Sequence, residues 1–458
     1  MRITLPTFLI LLAWTLSCSN APTPEGDSAR QSEFYVASGG DDTNPGTFEL
    51  PWKTLHRVNQ QHFAPGDTVF FARGSSFTGG FIVSSSGIAG KPITFTAYGS
   101  GDAPSFTNPD YGTLNGNVIQ ITGSYIVIDG LFFHNCATVI YDTIGPELWD
   151  AVRKLGAVFI AVGADHNIVK NCEVTKSPVG FKVYGQRNLI TQNYIHDNNE
   201  PIAPHWGPLG IVVCTSNNEI SYNRITNLVA PSKAYGHDGG AIEIDDRKYP
   251  KRNIKIHHNY SRSNQGFIEF VGRTVQEDFV IHHNVCEDFQ SFIGFTGPCK
   301  NMRVENNTVI RILAHKTPDS EDVVLWSYFE NTNLTFQNNI FYYDPSRVEQ
   351  VFSRGVHPRN HNLYYRTDNP QVSDQASVAA FNRFVLGGGA WLGEGDKIGD
   401  PMFVDFENRD LRLRAGSPAI DAGVDLGYTL DFDDNPIPSG TAPDMGAYEY
   451  QTTIEPKQ

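Results

Sequence analysis

The sequence predicts an all-β solenoid, and three observations support this fold class. The chain has 458 residues, of which 42 are Gly, 29 Phe and 19 Tyr, a composition typical of a turn-rich β protein. No long stretch repeats its apolar residues with the period of an α-helix. The middle of the chain instead repeats an Asn that follows a short apolar segment. Repeats on the order of 20–50 residues are typical of solenoids, in which each unit packs on its neighbours.

The repeated asparagines define the coils of this solenoid. They follow segments such as NLITQNYI and NIKIHHNY, and the gaps between them are 22, 30, 36, 25, 23 and 32 residues. Asn tolerates the left-handed backbone of a sharp corner, and stacked amides can hydrogen-bond to the coils above and below. We therefore expect a structural Asn ladder, with Gly130 in the Asn place of an earlier coil. The predicted ladder consists of Asn171, Asn193, Asn223, Asn259, Asn284, Asn307 and Asn339.

The N-terminal residues predict export. A basic residue and the apolar run LPTFLILLAW indicate a signal peptide over residues 1–18 that is too short to span a membrane. Cys18 resembles the lipidated cysteine of a bacterial lipoprotein, with ordinary cleavage as the alternative. Residues 19–32 read as a flexible tether. We expect an outer-membrane or cell-surface lipoprotein, or a periplasmic or secreted protein, whose only membrane contact is a lipid on Cys18.

Charge and cysteine content exclude some function classes. The net charge of −15 argues against a nucleic-acid partner, because such a partner requires a basic surface. An odd number of irregularly spaced cysteines after Cys18 does not fit a disulfide framework or a zinc site. We expect these cysteines to be small buried residues. They are Cys136, Cys172, Cys214, Cys286 and Cys299.

Several stretches resemble a known superfamily. The Asn ladder, the opening FYVASGGDDTNPGTFELPWKTL, the segment APGDTVFFARG and the closing DPMFVDFENRDLRLRAGSPAIDAG are similar to right-handed parallel β-helix proteins of the pectate-lyase-like superfamily. The resemblance covers about residues 34–450. It implies a right-handed parallel β-helix over 33–365, a C-terminal segment over 366–450 that covers the helix end, and a tail over 451–458. It does not define the reaction, because this fold carries lyases, hydrolases, esterases and adhesins.

The stretch GHDGGAIEIDD, residues 236–246, is the strongest candidate for a functional site. Its isoleucines alternate with Glu243 and Asp245, so a strand here presents carboxylates on its outer face. Aligning GAIEID with GFIEFV and SFIGFT places Glu269 and then Gly294 beside Glu243. Adjacent strands lie about 4.8 Å apart, and the diagonal from Asp245 to Glu269 is roughly 8 Å. Crowded carboxylates raise at least one pKa unless a cation lies among them.

The same alignment extends the outward column upstream. GIVVC contributes Val212 and Cys214, and GFKVY contributes Lys182 and Tyr184. Lys182 is a candidate to meet an acidic sugar, or is an ordinary surface lysine.

The favoured hypothesis is a glycoside hydrolase that needs no cofactor. Two carboxylates about 5–5.5 Å apart suit retention of configuration, and about 6.5–9.5 Å suits inversion. Glu269, flanked by Phe267 and Phe270, is the candidate acid with a raised pKa. Glu243 with Glu269 is the candidate pair for the first geometry, and Asp245 or Asp246 with Glu269 for the second. Asp245 is then the nucleophile or base, with Glu243 as its electrostatic partner.

A second hypothesis is a Ca²⁺-dependent polysaccharide lyase. The alternating pair Glu243 and Asp245 resembles the Ca²⁺ ligands of the alginate-lyase and chondroitinase B family. That resemblance implies Lys248 or Lys251 as the base and Arg273 as the acid. Arg273 stands two residues beyond the matching position, and a carboxylate at 269 is foreign to the family pattern.

A third hypothesis is a non-catalytic carbohydrate-binding β-helix. The acidic patch would then be a solvated face or a structural Ca²⁺ site. In all three cases the partner is a polysaccharide or oligosaccharide. Long connections on a solenoid usually line its binding face, and aromatic rings there suit sugars. The candidate substrate-binding residues on these connections are His205, Trp206, Tyr235, His237 and Asp238.

Two histidine pairs precede corner asparagines in successive coils. They are His257-His258 and His282-His283. Alternation predicts that one residue of each pair points outward as an ordinary surface residue. We therefore expect no metal site there.

Overall fold

The computed structural model describes residues 32–245, 248–272, 274–314, 323–327, 331–347, 350–352, 358–368 and 392–452. The predicted signal peptide and nearly all of the predicted tether lie outside these residues. The described chain forms three long parallel sheets, which run side by side along the solenoid.

Each coil contributes one strand to each sheet in turn. Sheet 1 contains β1 (Glu33–Val36), β2 (Thr68–Ala72), β5 (Ile93–Tyr98), β8 (Ile126–Asp129), β11 (Ile168–Lys170), β14 (Leu189–Thr191), β17 (Glu219–Ser221), β22 (Lys251–His257), β25 (Gln276–His282), β28 (Lys300–Glu305), β31 (Thr332–Gln337) and β34 (Arg359–Asn360). Sheet 2 contains β3 (Ser76–Thr78), β6 (Ser105–Thr107), β9 (Phe132–His134), β12 (Glu173–Thr175), β15 (Tyr194–His196), β18 (Arg224–Thr226), β23 (Tyr260–Arg262), β26 (Val285–Glu287), β29 (Thr308–Arg311), β32 (Ile340–Tyr343), β35 (Leu363–Arg366) and β36 (Lys397–Ile398). Sheet 3 contains β4 (Phe81–Val83), β7 (Ile119–Ile121), β10 (Val158–Ile160), β13 (Val179–Val183), β16 (Leu209–Val213), β21 (Gly240–Ile244), β24 (Ile268–Phe270), β27 (Ile293–Phe295), β30 (Val323–Ser327) and β33 (Gln350–Phe352). Two short antiparallel hairpins lie outside these sheets, β19 (Ala230–Ser232) with β20 (Gly236–Asp238) and β37 (Phe403–Asp405) with β38 (Asp410–Leu413).

Apolar columns fill the bore of the solenoid. Because side chains alternate along each strand, every coil sends one apolar residue of a given register inward. One such column in sheet 1 is fully buried. Full burial of an aliphatic side chain contributes about 1.5–3 kcal/mol, so these columns are the main stabilising feature of the fold. The column consists of Val169, Ile190, Ile220, Ile256, Ile281, Val304 and Phe336.

The Asn ladder forms at the corner between sheets 1 and 2. The Asn284 side chain accepts a hydrogen bond from the backbone N–H of Asn259 at 3.0 Å and donates one to the Asn307 side chain at 2.9 Å. The same bonds repeat through the coils up to Asn362 and then Asp396. The predicted ladder is therefore confirmed over six of its seven asparagines, Asn193 through Asn339.

The first predicted member of the ladder is wrong by one residue. The ladder position belongs to Cys172, whose N–H donates to the Asn193 side chain at 3.0 Å. Asn171 lies outside it in the left-handed region, with φ +51°. The left-handed residue of the corner is in general the one that precedes the ladder position, for example Gln192 with φ +57°. Gly130, with φ +71°, occupies this preceding position in an earlier coil and not the Asn place.

The N-terminal end of the bore is closed by α1 (Leu55–Asn59), whose Leu55 and Val58 are buried in the main core. A second helix, α2 (Pro146–Val152), lies outside the bore, and residues Leu114–Gly116 form a short 3₁₀ turn. Within the described ranges, none of the helices is long and apolar enough to span a membrane.

The C-terminal segment lies mainly along the flank of sheet 2. Its residues Leu411, Met445 and Tyr448 form a second apolar cluster with outward residues of sheet 2 such as Ile310 and Ile340. Leu392 and Ile398 pack partly against the main core. The described residues 392–452 therefore cover sheet 2 over several coils.

This packing overturns the expectation for the histidine pairs. His258, His282 and His283 are all buried, because the C-terminal segment covers the corner where they lie. His258 Nε2 donates to the Asp431 carbonyl at 3.0 Å, and the Tyr428 ring stacks on His282 at 4.3 Å. The prediction of one surface residue is thus wrong for His282-His283, whereas His257 of the first pair stays partly exposed, 3.3 Å from the Glu219 carboxylate. The five cysteines, in contrast, are buried as predicted.

Candidate active site

The candidate active site lies on the outer face of sheet 3. Strands β21 and β24 pair in parallel, with Ile242 opposite Ile268 and Glu243 opposite Glu269. The isoleucines point into the bore and are buried, whereas both glutamates point outward and are partly exposed. Because adjacent strands are about 4.8 Å apart, the two carboxylates belong to neighbouring rungs of one column.

The rest of the outward column follows the predicted register. Glu269 pairs with Gly294 on the next coil, and Glu243 pairs with Val212 on the preceding one. Val212 in turn pairs with Lys182. Gly294 has no side chain, so the surface beside Glu269 is hollow.

Two further carboxylates border the pair. Asp245 follows β21 directly, and its N–H donates to the Val213 carbonyl at 3.1 Å, which continues the strand pairing. Asp238 ends β20, just before β21, and its carboxylate accepts a hydrogen bond from the Gly207 N–H at 3.0 Å. A cavity lies beside Asp238 and Glu269, and neither Glu243 nor Asp245 is among the residues that line it. It is lined by Leu209, Asp238, Gly239, Gly240, Ile242, Gly266, Ile268, Glu269, Gln290, Ser291 and Gly294.

The environment of Glu269 favours its protonated form. Burial raises the pKa of Glu269 to about 8, and the neighbouring charges of Asp238 and Asp245 act in the same direction. The burial does not come from Phe267 and Phe270, as the sequence suggests, because both rings point into the bore. It comes from the walls of the cavity.

The environment of Glu243 also favours its protonated form. Burial raises its pKa well above the ordinary value, and Asp245 and Glu269 add to the effect by repulsion. Lys182 opposes this shift because its positive charge favours the ionised form of Glu243. Lys182 is only 2% exposed, and its Nζ donates to the Val152 carbonyl of α2 at 3.2 Å. Lys182 is thus a buried residue two coils upstream of Glu243 and not a surface lysine.

These shifts predict a loss of stability as the pH rises. The folded state keeps a proton on Glu269 that the unfolded state releases, so folding is weakened from the ordinary pKa of 4.5 up to about 8. A pKa difference of one is worth about 1.36 kcal/mol, and partial exposure reduces the effect. We expect wild type to lose on the order of 2 kcal/mol across this window relative to Glu269→Gln. Chemical unfolding of both proteins below and above the window measures this difference, and parallel pH curves would contradict it.

The two lysines proposed as a lyase base differ in burial. Lys251 is fully buried and its Nζ donates to the Thr274 hydroxyl at 2.7 Å, so the expectation that it is an available base is wrong. Lys248 is exposed, with its Nζ 4.9 Å from the centre of the Tyr249 ring. Asp246 and Arg273, which the sequence also proposes for the site, lie outside the described residues.

Of the predicted loop residues, Asp238 lines the cavity, and the others lie on the same connections. Tyr235 is 60% exposed near the tip of the β19–β20 hairpin, and partial burial, together with the charges of Asp238 and Glu269, raises its pKa. His237 lies on β20, next to Asp238. Trp206 packs against Trp149 with ring centres 4.9 Å apart. His205 Nε2 donates to the Asp142 carbonyl at 2.8 Å.

Sequence reasoning missed Leu209, Gln290 and Ser291, which line the cavity. Gln290 and Ser291 precede β27 as Gln265 and Gly266 precede β24. Their position follows from the same strand alignment, because residues before aligned strands must also lie on neighbouring coils.

The carboxylates are chemically suited to Ca²⁺, which prefers about six to eight oxygen ligands. Among the described residues, however, no three acidic, histidine or cysteine side chains are arranged to hold a metal ion. Glu243 and Asp245 alone do not complete such a ligand set.

Comparisons with known proteins agree with the fold. Residues 151–309 match the family model described as the right handed beta helix region. No curated protein sequence matches the chain significantly.

Three solved structures illustrate the likeness. The pectate lyase Pel9A is 16% identical with a TM-score of 0.54, and the alignment covers 92% of this chain and 96% of that one. A rhamnogalacturonan lyase is 14% identical with a TM-score of 0.51, covering 72% and 87%. XylC in complex with xylose is 11% identical with a TM-score of 0.52, covering 91% and 99%. The chain therefore has the right-handed parallel β-helix fold that its sequence predicts.

Proposed function

We propose that the protein is a glycoside hydrolase that acts on a polysaccharide or oligosaccharide through the carboxylates of sheet 3. The observation that supports this most is the register of Glu243 on Glu269, where Glu269 lines a cavity and has a pKa of about 8. Glycosidic bond cleavage requires a carboxyl group that keeps its proton until it donates it, and the raised pKa suits Glu269 to this role.

In the proposed mechanism Glu269 is the general acid. It keeps its proton at neutral pH and donates it to the glycosidic oxygen as the bond breaks. Asp245 is the nucleophile or the base that activates water, and Glu243 is the neighbouring carboxyl group, whose own pKa is raised by burial. The diagonal distance of roughly 8 Å between Asp245 and Glu269 suits inversion. The adjacent spacing of Glu243 and Glu269, about 4.8 Å, is nearer to the requirement for retention.

The structural neighbours support a carbohydrate substrate. Two of them are polysaccharide lyases by name, and a third contains xylose. The exposed ring of Tyr235, near Asp238 and Glu269, supports the same class, because flat rings pack well on sugar faces.

A Ca²⁺-dependent lyase is the second candidate function. It is favoured by the alternating carboxylates Glu243 and Asp245 on one strand. Burial of Lys251 removes one of its two candidate bases and leaves Lys248.

Product analysis on a panel of neutral and acidic polysaccharides tests these proposals. We expect new reducing ends without the ultraviolet absorbance of an unsaturated uronate, and activity that persists after dialysis against a Ca²⁺ chelator. Absorbance that increases with turnover, and that is lost on chelation and restored by Ca²⁺, would select the lyase. Binding without turnover of any glycan would support a carbohydrate-binding protein instead.

A further inference from the structure

The residues of the outward column of sheet 3 become exposed at Glu243 and Glu269, which we call the acid pair. Upstream of the pair, Val212 and Lys182 are only 0% and 2% exposed although both point away from the bore. Glu243 and Glu269, next along the same column, are partly exposed. A part of the chain outside the solenoid therefore covers Lys182 and Val212, and this cover stops before Glu243.

The cover is an apolar cluster separate from the bore. Its apolar residues outside the sheet come mainly from residues 137–156 and 199–208, and polar contacts add residues 229–239. We call these three connections the wall. Leu148 and Ala151 of α2 and Ile202 of the second connection pack in one cluster with Val212 and Cys214 of the sheet. Burying such side chains contributes about 1.5–3 kcal/mol each, so the wall is a fixed part of the fold.

Polar contacts join the three connections to each other. Lys233 near the hairpin tip pairs with Asp142 at 2.7 Å, and His205 Nε2 donates to the Asp142 carbonyl at 2.8 Å. The Ser232 hydroxyl donates to the His205 carbonyl at 2.6 Å. The wall is therefore one interlocked unit and not three independent loops.

The carboxylates lie where the wall meets the exposed part of sheet 3. Asp238 belongs to the wall and accepts the Gly207 N–H, yet it also lines the cavity with Glu269. From there the cavity extends downstream, over Gly294, towards Gln290 and Ser291. Upstream of Leu209 the same face is occupied by protein.

We propose that the enzyme acts at the end of a glycan chain. A sugar chain bound along the cavity can extend over β24 and β27 but must terminate at the wall, next to Glu243 and Glu269. The wall thus allows only the last one or few sugars to pass the acid pair, and it sets an exo mode of cleavage. This inference rests on the proposed function, because it assumes that the pair cleaves a glycosidic bond.

The size distribution of early products tests the inference on a glycan that the wild type cleaves. We expect one short sugar from the first time point, no intermediate sizes and a slow decline in polymer mass. A ladder of intermediate sizes with a rapid decline in polymer mass would overturn the exo mode while leaving the hydrolase intact. No turnover of any glycan would overturn the proposed function and this inference with it.

A variant that loosens the wall provides a second test. Leu148→Asp places a charge in the apolar cluster and should detach α2 from the sheet, so intermediate sizes should appear among its products. Tyr235→Ala keeps the wall packed and should retain the single short product at a lower rate. If Leu148→Asp folds, as judged by circular dichroism, and still gives a single product, the wall does not set the mode. If it does not fold, the wild-type product series decides.

Discussion

Glu269→Gln is expected to lower turnover by about 10²–10⁴-fold while the protein remains folded, because Gln fills the same space but cannot donate the proton. The variant should still bind the substrate, since the shape of the cavity is unchanged. Steady-state kinetics on the best glycan, together with circular dichroism and a binding isotherm, measure the effect.

Glu173→Gln is the matched control. Glu173 also points outward from a strand, but from sheet 2, where it pairs with His196 at 3.1 Å. Its replacement should leave turnover unchanged. Equal activities of wild type and Glu269→Gln would remove Glu269 from the mechanism.

Asn284→Ala is expected to destabilise the fold by roughly 3–5 kcal/mol, because it leaves several buried groups without hydrogen bonds. The Asn284 amide donates to the carbonyls of Ile256 and His282, and its oxygen accepts from the backbone N–H of Asn259. Each buried group that loses its partner costs about 1–3 kcal/mol. The free energy of chemical unfolding measures the loss.

The control for the ladder is Asn408→Ala. Asn408 is exposed, and its side chain donates to Asp405 at 2.7 Å in a surface turn. We expect a change of about 1 kcal/mol or less. If Asn284→Ala is as stable as this control, the ladder does not stabilise the solenoid.

Much of the solenoid could be predicted because its physics is local and repeated. Alternation along a strand defines which residues point inward, and the ladder asparagines repeat in every coil. The error at Asn171 has a simple cause. Cys172 replaces Asn at the ladder position there, and the adjacent left-handed residue happens to be Asn.

The histidine pairs could not be placed from local pattern. Alternation places one residue of each pair on the outer surface, but residues 428–432, far along the chain, pack over that corner. Burial of this kind depends on the path of the C-terminal segment. This segment has no repeats, so the period of the coils does not predict where it packs.

The candidate site was likewise predictable only where it lies on the repeated strands. Glu243, Glu269 and Gly294 could be aligned because they lie on successive strands of one sheet. The wall could not be predicted, since its connections differ in length and have no counterpart in other coils. Lys182 therefore seemed a surface residue, although α2 covers it.

The proposed function depends on Glu269 being protonated at neutral pH, and difference infrared spectroscopy measures this protonation directly. The spectrum of wild type minus Glu269→Gln should contain the carbonyl band of a protonated carboxyl group at neutral pH, and this band should disappear as the pH rises through about 8. A difference spectrum that contains only carboxylate bands at neutral pH would contradict the proposed acid.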